Sequence, residues 1–310
     1  MAPKCFSLTR AMKSWFRLSF SRAGLKSVSV DLPDGTTLHC WIPKTYKPSL
    51  PNLVLIHGMG SDSMWQWRDL VHRFSPHFNV YAPDLVFFGT SYTTSPERSE
   101  SFQGRCVAGA MESLGVGRMH VAGCSYGGII AYSMAAQFPE RVERVVLCCA
   151  GVSMEEKDMD EGMFQMKSVD EAVSMLLPQT PEKSKELIAL SVYKPPKSMP
   201  SCIYQDFIDV MLTENLTERA ELIRALHKDR KLSNLPKISQ PTLMIWGEYD
   251  KVFPLELAHR LKRHLDDAPR LVVIKDAGHI LSMEAPKELY KHTKEFLLEP
   301  LASSMYNGKQ

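Results

Sequence analysis

Five residues in the middle of the chain, Gly123-Cys124-Ser125-Tyr126-Gly127, set a serine between two glycines, after a short apolar run and before a helical pattern. On a tight strand-to-helix turn the hydroxyl projects above a sheet, and the helix points its N-terminus at negative charge developing there. Glycine suits both flanks, because the backbone folds back on itself around the serine. A serine hydroxyl is a poor nucleophile until a base takes its proton. Of ten histidines, His279 stands in Asp276-Ala277-Gly278-His279, a loop after the last apolar run, from which an imidazole can swing in over the sheet edge. His72, His77, His227, His259, His264 and His292 read as solvated helix or loop positions, and His120 as a structural residue within a strand. An imidazole base needs an orienting carboxylate. Asp250 lies just past the penultimate apolar run, with Glu248 as its nearby competitor. Backbone N–H groups must hold the oxyanion; Tyr126, next after the serine, and Met59, in His57-Gly58-Met59-Gly60, supply them, with His57 bracing that loop by hydrogen bonding.

These groups need a scaffold. Residues 28–32 and 38–42, on either side of Asp34-Gly35, read as a hairpin. Short apolar runs follow at 52–56, 78–82, 119–122, 145–149, 242–246 and 271–275, with helices expected near 63–74, 131–138, 255–265 and 286–298. Strands apolar on both faces that alternate with helices predict an α/β fold with a mostly parallel, doubly wound sheet. From 152 to 235 the rhythm gives way to a helical stretch broken by prolines and holding seven of the 17 methionines. We read it as a helical cap inserted between strands of one sheet. The core is then 28–151 and 236–300, with a basic N-terminal extension at 1–27 and a tail at 301–310.

At 310 residues, 44% hydrophobic and 23% charged, the chain can bury a sizeable core without disulfides or metals, and its composition excludes disorder, collagen and coiled coil. Seven scattered cysteines show no CxxC or Cys/His ligand spacing and read as reduced thiols, so no metal is expected. A net charge of +2 gives no argument for a nucleic-acid partner. No continuous apolar run reaches the length, about 18 residues, that marks a membrane-crossing helix.

In these motifs and their order the chain resembles the α/β-hydrolase superfamily, over about residues 28–298. The resemblance rests on His57-Gly58-Met59-Gly60, Ala82-Pro83-Asp84-Leu85 with Gly89 and Ser91, the Ser125 turn, Trp246-Gly247-Glu248-Tyr249-Asp250 and Gly278-His279, and the order Ser125, Asp250, His279 matches that superfamily. Within it the chain is similar to monoacylglycerol-lipase-type serine hydrolases, notably at Leu176-Leu177-Pro178-Gln179-Thr180-Pro181-Glu182, with plant-like character at Phe207-Ile208-Asp209-Val210. More distantly it resembles meta-cleavage-product hydrolases, which cut carbon–carbon bonds. The resemblance implies two-step acyl transfer through Ser125, without cofactor, on a small-molecule ester with an apolar acyl chain, a monoacylglycerol or related lipid ester. A methionine-rich cap fits an adaptable apolar pocket, although the same methionines fit an ordinary helical core. A meta-cleavage enzyme would want a basic residue in the pocket, for which Lys167 and Arg219 are candidates. A third reading is a ligand-binding receptor that keeps the triad and turns over little. Serine at the nucleophile position argues against epoxide hydrolases and haloalkane dehalogenases. The chain departs from the family pattern with Cys124, where histidine is frequent, and with Phe87, where glycine is common; Phe87 and Phe88 are expected to narrow the pocket mouth.

Residues 1–30 hold Lys4, Arg10, Lys13, Arg17, Arg22 and Lys26 and no acidic residue, leaving 31 Lys and Arg against 35 Asp and Glu in the remainder. This head reads as a peripheral membrane helix, an organellar targeting peptide or an extension packed on the body. The alternation of Phe16, Leu18 and Phe20 counts against a helical apolar stripe. The expected setting is intracellular, chiefly cytoplasmic, as a monomer or weak oligomer.

Overall fold

Asp34-Gly35 makes the first turn of the sheet: Gly35 takes φ +80°, and the Asp34 carboxylate accepts the Thr36 N–H at 3.0 Å. The computed structural model describes residues 7–300; Lys4, Cys5, Phe6 and the 301–310 tail lie outside the described residues. The turn joins β1 (Leu25–Asp31) to β2 (Thr37–Pro43) in antiparallel register, with Asp31 opposite Thr37 and Leu25 opposite Pro43. The remaining strands are β3 (Asn52–Ile56), β4 (Asn79–Pro83), β5 (Met119–Cys124), β6 (Val142–Cys148), β7 (Thr242–Gly247) and β8 (Arg270–Ile274). They form one eight-stranded sheet in the order β1-β2-β4-β3-β5-β6-β7-β8. Pairing is parallel from β4 through to β8 and antiparallel where β2 meets β4. Every residue of β4, β5 and β7 is buried, which is why these runs are mainly apolar rather than alternating. The order reverses at β3, which is followed in sequence by β4 on one side but pairs with β5 on the other. Such a switch point is where open α/β sheets place their ligands, beyond the carboxyl ends of the strands.

Helices flank the sheet. The chain opens with α1 (Leu8–Arg22), capped by Ser7, whose side chain accepts the Arg10 N–H. Phe16 and Phe20, four residues apart, share its buried face and leave Leu18 exposed, so the apparent alternation is helical after all. The expected 63–74 helix is two short ones, α2 (Ser63–Trp67) and α3 (Val71–Phe74). The break follows from local bonding: the Arg68 guanidinium takes the Trp65 carbonyl, and the Leu70 N–H closes a tighter turn on Trp67. Next comes α4 (Glu100–Ser113), a helix not anticipated above, although Ser99 caps it by accepting the Phe102 N–H. It precedes α5 (Tyr126–Gln137). Between β6 and β7 the chain inserts α6 (Lys157–Asp160), α7 (Val169–Leu176), α8 (Pro181–Ser191), α9 (Ser201–Met211) and α10 (Leu216–His227). After them come α11 (Leu255–His264), α12 (Leu281–Glu284) and α13 (Pro286–Leu298). Met154, Met159 and Met166 of the insertion belong to the main core, so for them the plain packing role holds.

Candidate active site

Ser125 sits between β5 and α5 with φ 55° and ψ −123°, a backbone state most side chains avoid. Its own N–H is held by the Cys148 carbonyl of the adjacent strand at 2.8 Å. The flanking glycines are required by contact: a Cβ on Gly123 would stand 2.1 Å from the Gly127 carbonyl oxygen, and one on Gly127 would stand 2.4 Å from the carbonyls of Ile56 and His57. The side chain therefore projects at the strand end, and Ser125 retains partial exposure where its neighbours are buried.

The other predicted residues converge on it. His279 Nε2 lies 2.9 Å from Ser125 Oγ, and His279 Nδ1 lies 2.8 Å from Asp250 Oδ2. The Asp250 side chain is fully buried. Its other oxygen accepts the N–H groups of Val252 and Phe253, both at 2.9 Å, so the carboxylate is fixed by the turn it begins. Glu248 is exposed, and its carboxylate meets the Asp276 N–H at 3.3 Å, away from the imidazole. The Phe253 ring packs edge-on against His279 at 5.6 Å.

The register of β3 with β5 pairs Ile56 with Gly123, which brings the 57–60 loop beside the serine. A Cβ on Gly58 would come within 3.2 Å of Ser125 Cβ. The Met59 and Tyr126 N–H groups have no acceptor among the described residues. His57 braces this loop as its position suggests: its Nδ1–H donates to the Gly58 carbonyl at 2.8 Å, and its Nε2 accepts the Leu85 N–H at 3.0 Å. Those partners fix a neutral imidazole. Phe87 and Phe88, expected to narrow the pocket mouth, have buried side chains. Phe88 packs on His57 at 5.0 Å, and Phe87, at φ 75°, turns its carbonyl toward Arg219 and Asn215.

Several partners carry no local sequence signal. The Ser191 carbonyl, at the end of α8, accepts the His279 N–H at 2.7 Å. The Glu284 carboxylate accepts the N–H groups of Gly278 at 3.0 Å and Tyr193 at 2.8 Å, tying the His279 loop to the inserted helices. Tyr193 stacks on Tyr249, the residue before Asp250, at 4.2 Å. His39, not considered from sequence, pairs with Asp84 at 2.9 Å, and Asp84 also accepts the Ser63 N–H. Lys167 is exposed. Arg219 is buried, with its guanidinium directed to the carbonyls of Phe87 and Met211 and stacked over Phe88 at 4.5 Å. Cys149, Asp250 and His279 each bring one donor atom within 4.8 Å of the others. They fit a metal poorly: burial keeps the Cys149 thiol protonated, and the imidazole and carboxylate bind one another.

Buried imidazoles give the fold a pH dependence. Burial lowers the pKa of His57 and His227 and takes His120 down to about 4. His227 is thus no solvated position; it sits on the inner face of α10 and donates Nδ1–H to the Ile223 carbonyl. Burial opposes ionisation of Asp84, but its pairing with His39 outweighs this and leaves its pKa below the usual carboxylate range. In the unfolded chain these histidines take up protons below about pH 6.5, whereas the folded chain refuses them, so stability is complete above that pH and is lost on going down toward pH 4. Burial raises the pKa of Glu284, which acts in the opposite sense, but as a single group. The melting temperature should stay level from pH 8 to 7 and fall by about 5–10 °C between pH 7 and 5. A flat profile in a thermal-shift series would contradict this account.

A family model described as "Alpha/beta hydrolase family" matches residues 53–292. The chain is 26% identical over 259 residues to monoacylglycerol lipase ABHD6 of Mus musculus, covering 80% of this chain and 75% of that protein. It is 27% identical over 253 residues to a Pseudomonas 2-hydroxy-6-oxononadienedioate/2-hydroxy-6-oxononatrienedioate hydrolase, covering 79% and 87%. Among solved structures, a membrane phospholipase A described as a bacterial virulence factor superposes with TM-score 0.75 at 26% identity, covering 94% of this chain and 90% of that one.

Proposed function

Because this chain belongs to the alpha/beta hydrolase family, we propose that it is a serine esterase of apolar acyl esters, a monoacylglycerol or related lipid ester being the natural class. The observation that carries the reading is the unbroken relay from Ser125 through His279 to Asp250. His279 Nε2 takes the Ser125 proton as Oγ attacks the ester carbonyl. The oxyanion is received by the Met59 and Tyr126 N–H groups, each such donor being worth about 3–4 kcal/mol in the transition state. The C–O bond then breaks, and His279 returns the proton to the departing alcohol. Water, deprotonated by the same nitrogen, attacks the acyl-enzyme and releases the acid. Asp250 holds the proton of Nδ1 in place and stabilises the imidazolium of both steps.

The lipase-type relative supports the lipid ester. The carbon–carbon hydrolase reading has less support, since Lys167 is exposed and two of the three Arg219 nitrogens donate to backbone carbonyls. The test is a p-nitrophenyl ester series from acetate upward, run beside a monoacylglycerol. Each methylene buried in an apolar pocket is worth about 0.8 kcal/mol, so two suffice for a gain of about tenfold in kcat/KM. Octanoate should exceed acetate by at least that factor. A strict preference for acetate would reject the apolar acyl pocket. Labelling of Ser125 by a fluorophosphonate without turnover of any ester would favour the receptor reading instead.

A further inference from the structure

We propose that the outer face of α1 is a docking surface for an anionic phospholipid bilayer. A helix that packs by one face ordinarily shows polar residues on the other. The inner face of α1 is plainly packed: Phe16 meets Trp65 at 5.4 Å and Phe20 meets Trp41 at 5.2 Å. Its outer face departs from the rule, with Leu8 43%, Trp15 62% and Leu18 45% exposed. These are three of the nine large apolar side chains so exposed among the described residues, and Trp15 is the most exposed of all. Offsets of seven and three residues along a helix keep the three within one third of its circumference.

Charge decides what such a face meets. Arg10, Arg17, Arg22 and Lys26 are exposed around it, and residues 1–30 hold no acid. A second copy of the chain would bring like charges together. Aromatic and aliphatic side chains set among cations instead match the boundary between headgroups and acyl chains, where cations draw on anionic lipid. Beside Trp15 runs a groove of about 380 Å³ lined by Ser19, Arg22, His72 and Ser75, a donor set suited to a lipid phosphate. The platform is also rigidly placed. Lys13 pairs with Asp62 at 2.8 Å, and the Thr9 N–H donates to Asp206 of α9 at 2.7 Å. The helix thus bridges the core, just past the Met59 loop, and the inserted helices. Docking there sets the seam between them against the membrane.

The full chain should sediment with vesicles of phosphatidylcholine mixed with phosphatidylglycerol, bind phosphatidylcholine alone weakly, and release as salt rises. A basic residue at an anionic surface contributes about fivefold to binding, so Arg17→Gln with Arg22→Gln should weaken it about twentyfold. Trp15→Gln with Leu18→Gln should weaken it at least about tenfold. Both pairs keep the wild-type melting temperature, which separates loss of docking from loss of fold and requires no turnover. Equal binding to neutral and anionic vesicles would overturn the proposal, as would vesicle binding indifferent to both pairs. So would a self-associated species that the substitutions dissolve while vesicle binding is absent.

Discussion

Ser125→Ala should abolish sustained turnover of any accepted ester, a loss of about 10⁴-fold or more in kcat, together with all fluorophosphonate labelling. The expectation comes from what the hydroxyl does and does not touch. Its one recorded side-chain partner is His279, and it makes no capping bond to α5. Removing it deletes the nucleophile and leaves the turn held by the Ser125 N–H and the close approach of Gly123 and Gly127. Alanine at this φ and ψ bears the same strain that serine already bears, about 1–3 kcal/mol, so the melting curve should barely move. Residual hydrolysis within tenfold of wild type would mean that another group attacks the substrate, and the proposed mechanism would fall.

Asp250→Asn should cost about 10⁴-fold in kcat with little change in KM. Here the direction of the amide can be worked out. Asp250 Oδ1 accepts two backbone N–H groups, from Val252 and Phe253. An asparagine must present its carbonyl oxygen there, which turns its NH₂ toward His279 Nδ1. That nitrogen must then be the acceptor, so the ring proton moves to Nε2, facing Ser125, and the base has no lone pair for the hydroxyl. The turn survives, so a folded but inactive protein is the expected product. Glu248→Gln should change kcat by less than about threefold, because its exposed carboxylate touches the loop of Asp276 and not the imidazole. The reverse pattern, a large loss with Glu248→Gln and a small one with Asp250→Asn, would exchange the two assignments.

The residues of this relay were readable because each lies at the end of an apolar run, and local pattern marks such runs well. Strand ends of a parallel sheet converge on one edge, so the order of the runs was enough to bring Ser125, Asp250 and His279 together. What sequence could not supply was contact between elements remote from one another. Glu284 and Ser191 fasten the His279 loop through backbone N–H and C=O groups, which any residue type could offer. The packing of α1 does not show in the alternation of Phe16, Leu18 and Phe20, because its buried spacing is the four-residue step from Phe16 to Phe20. His227 could have been found: Ala220, Ile223 and His227 repeat at helical intervals, and the first two are apolar. The split between α2 and α3 depends on one arginine reaching back to a carbonyl, a choice that propensity does not register.

The ties from Ser191 and Tyr193 fasten the inserted helices to the loop that carries His279. Any displacement of the end of α8 would carry Ser191 away from the His279 N–H and Tyr193 away from both Glu284 and Tyr249. The His279 loop would then lose anchors that lie outside the sheet. Substitutions that loosen the end of α8 are thus expected to reach the base without touching it.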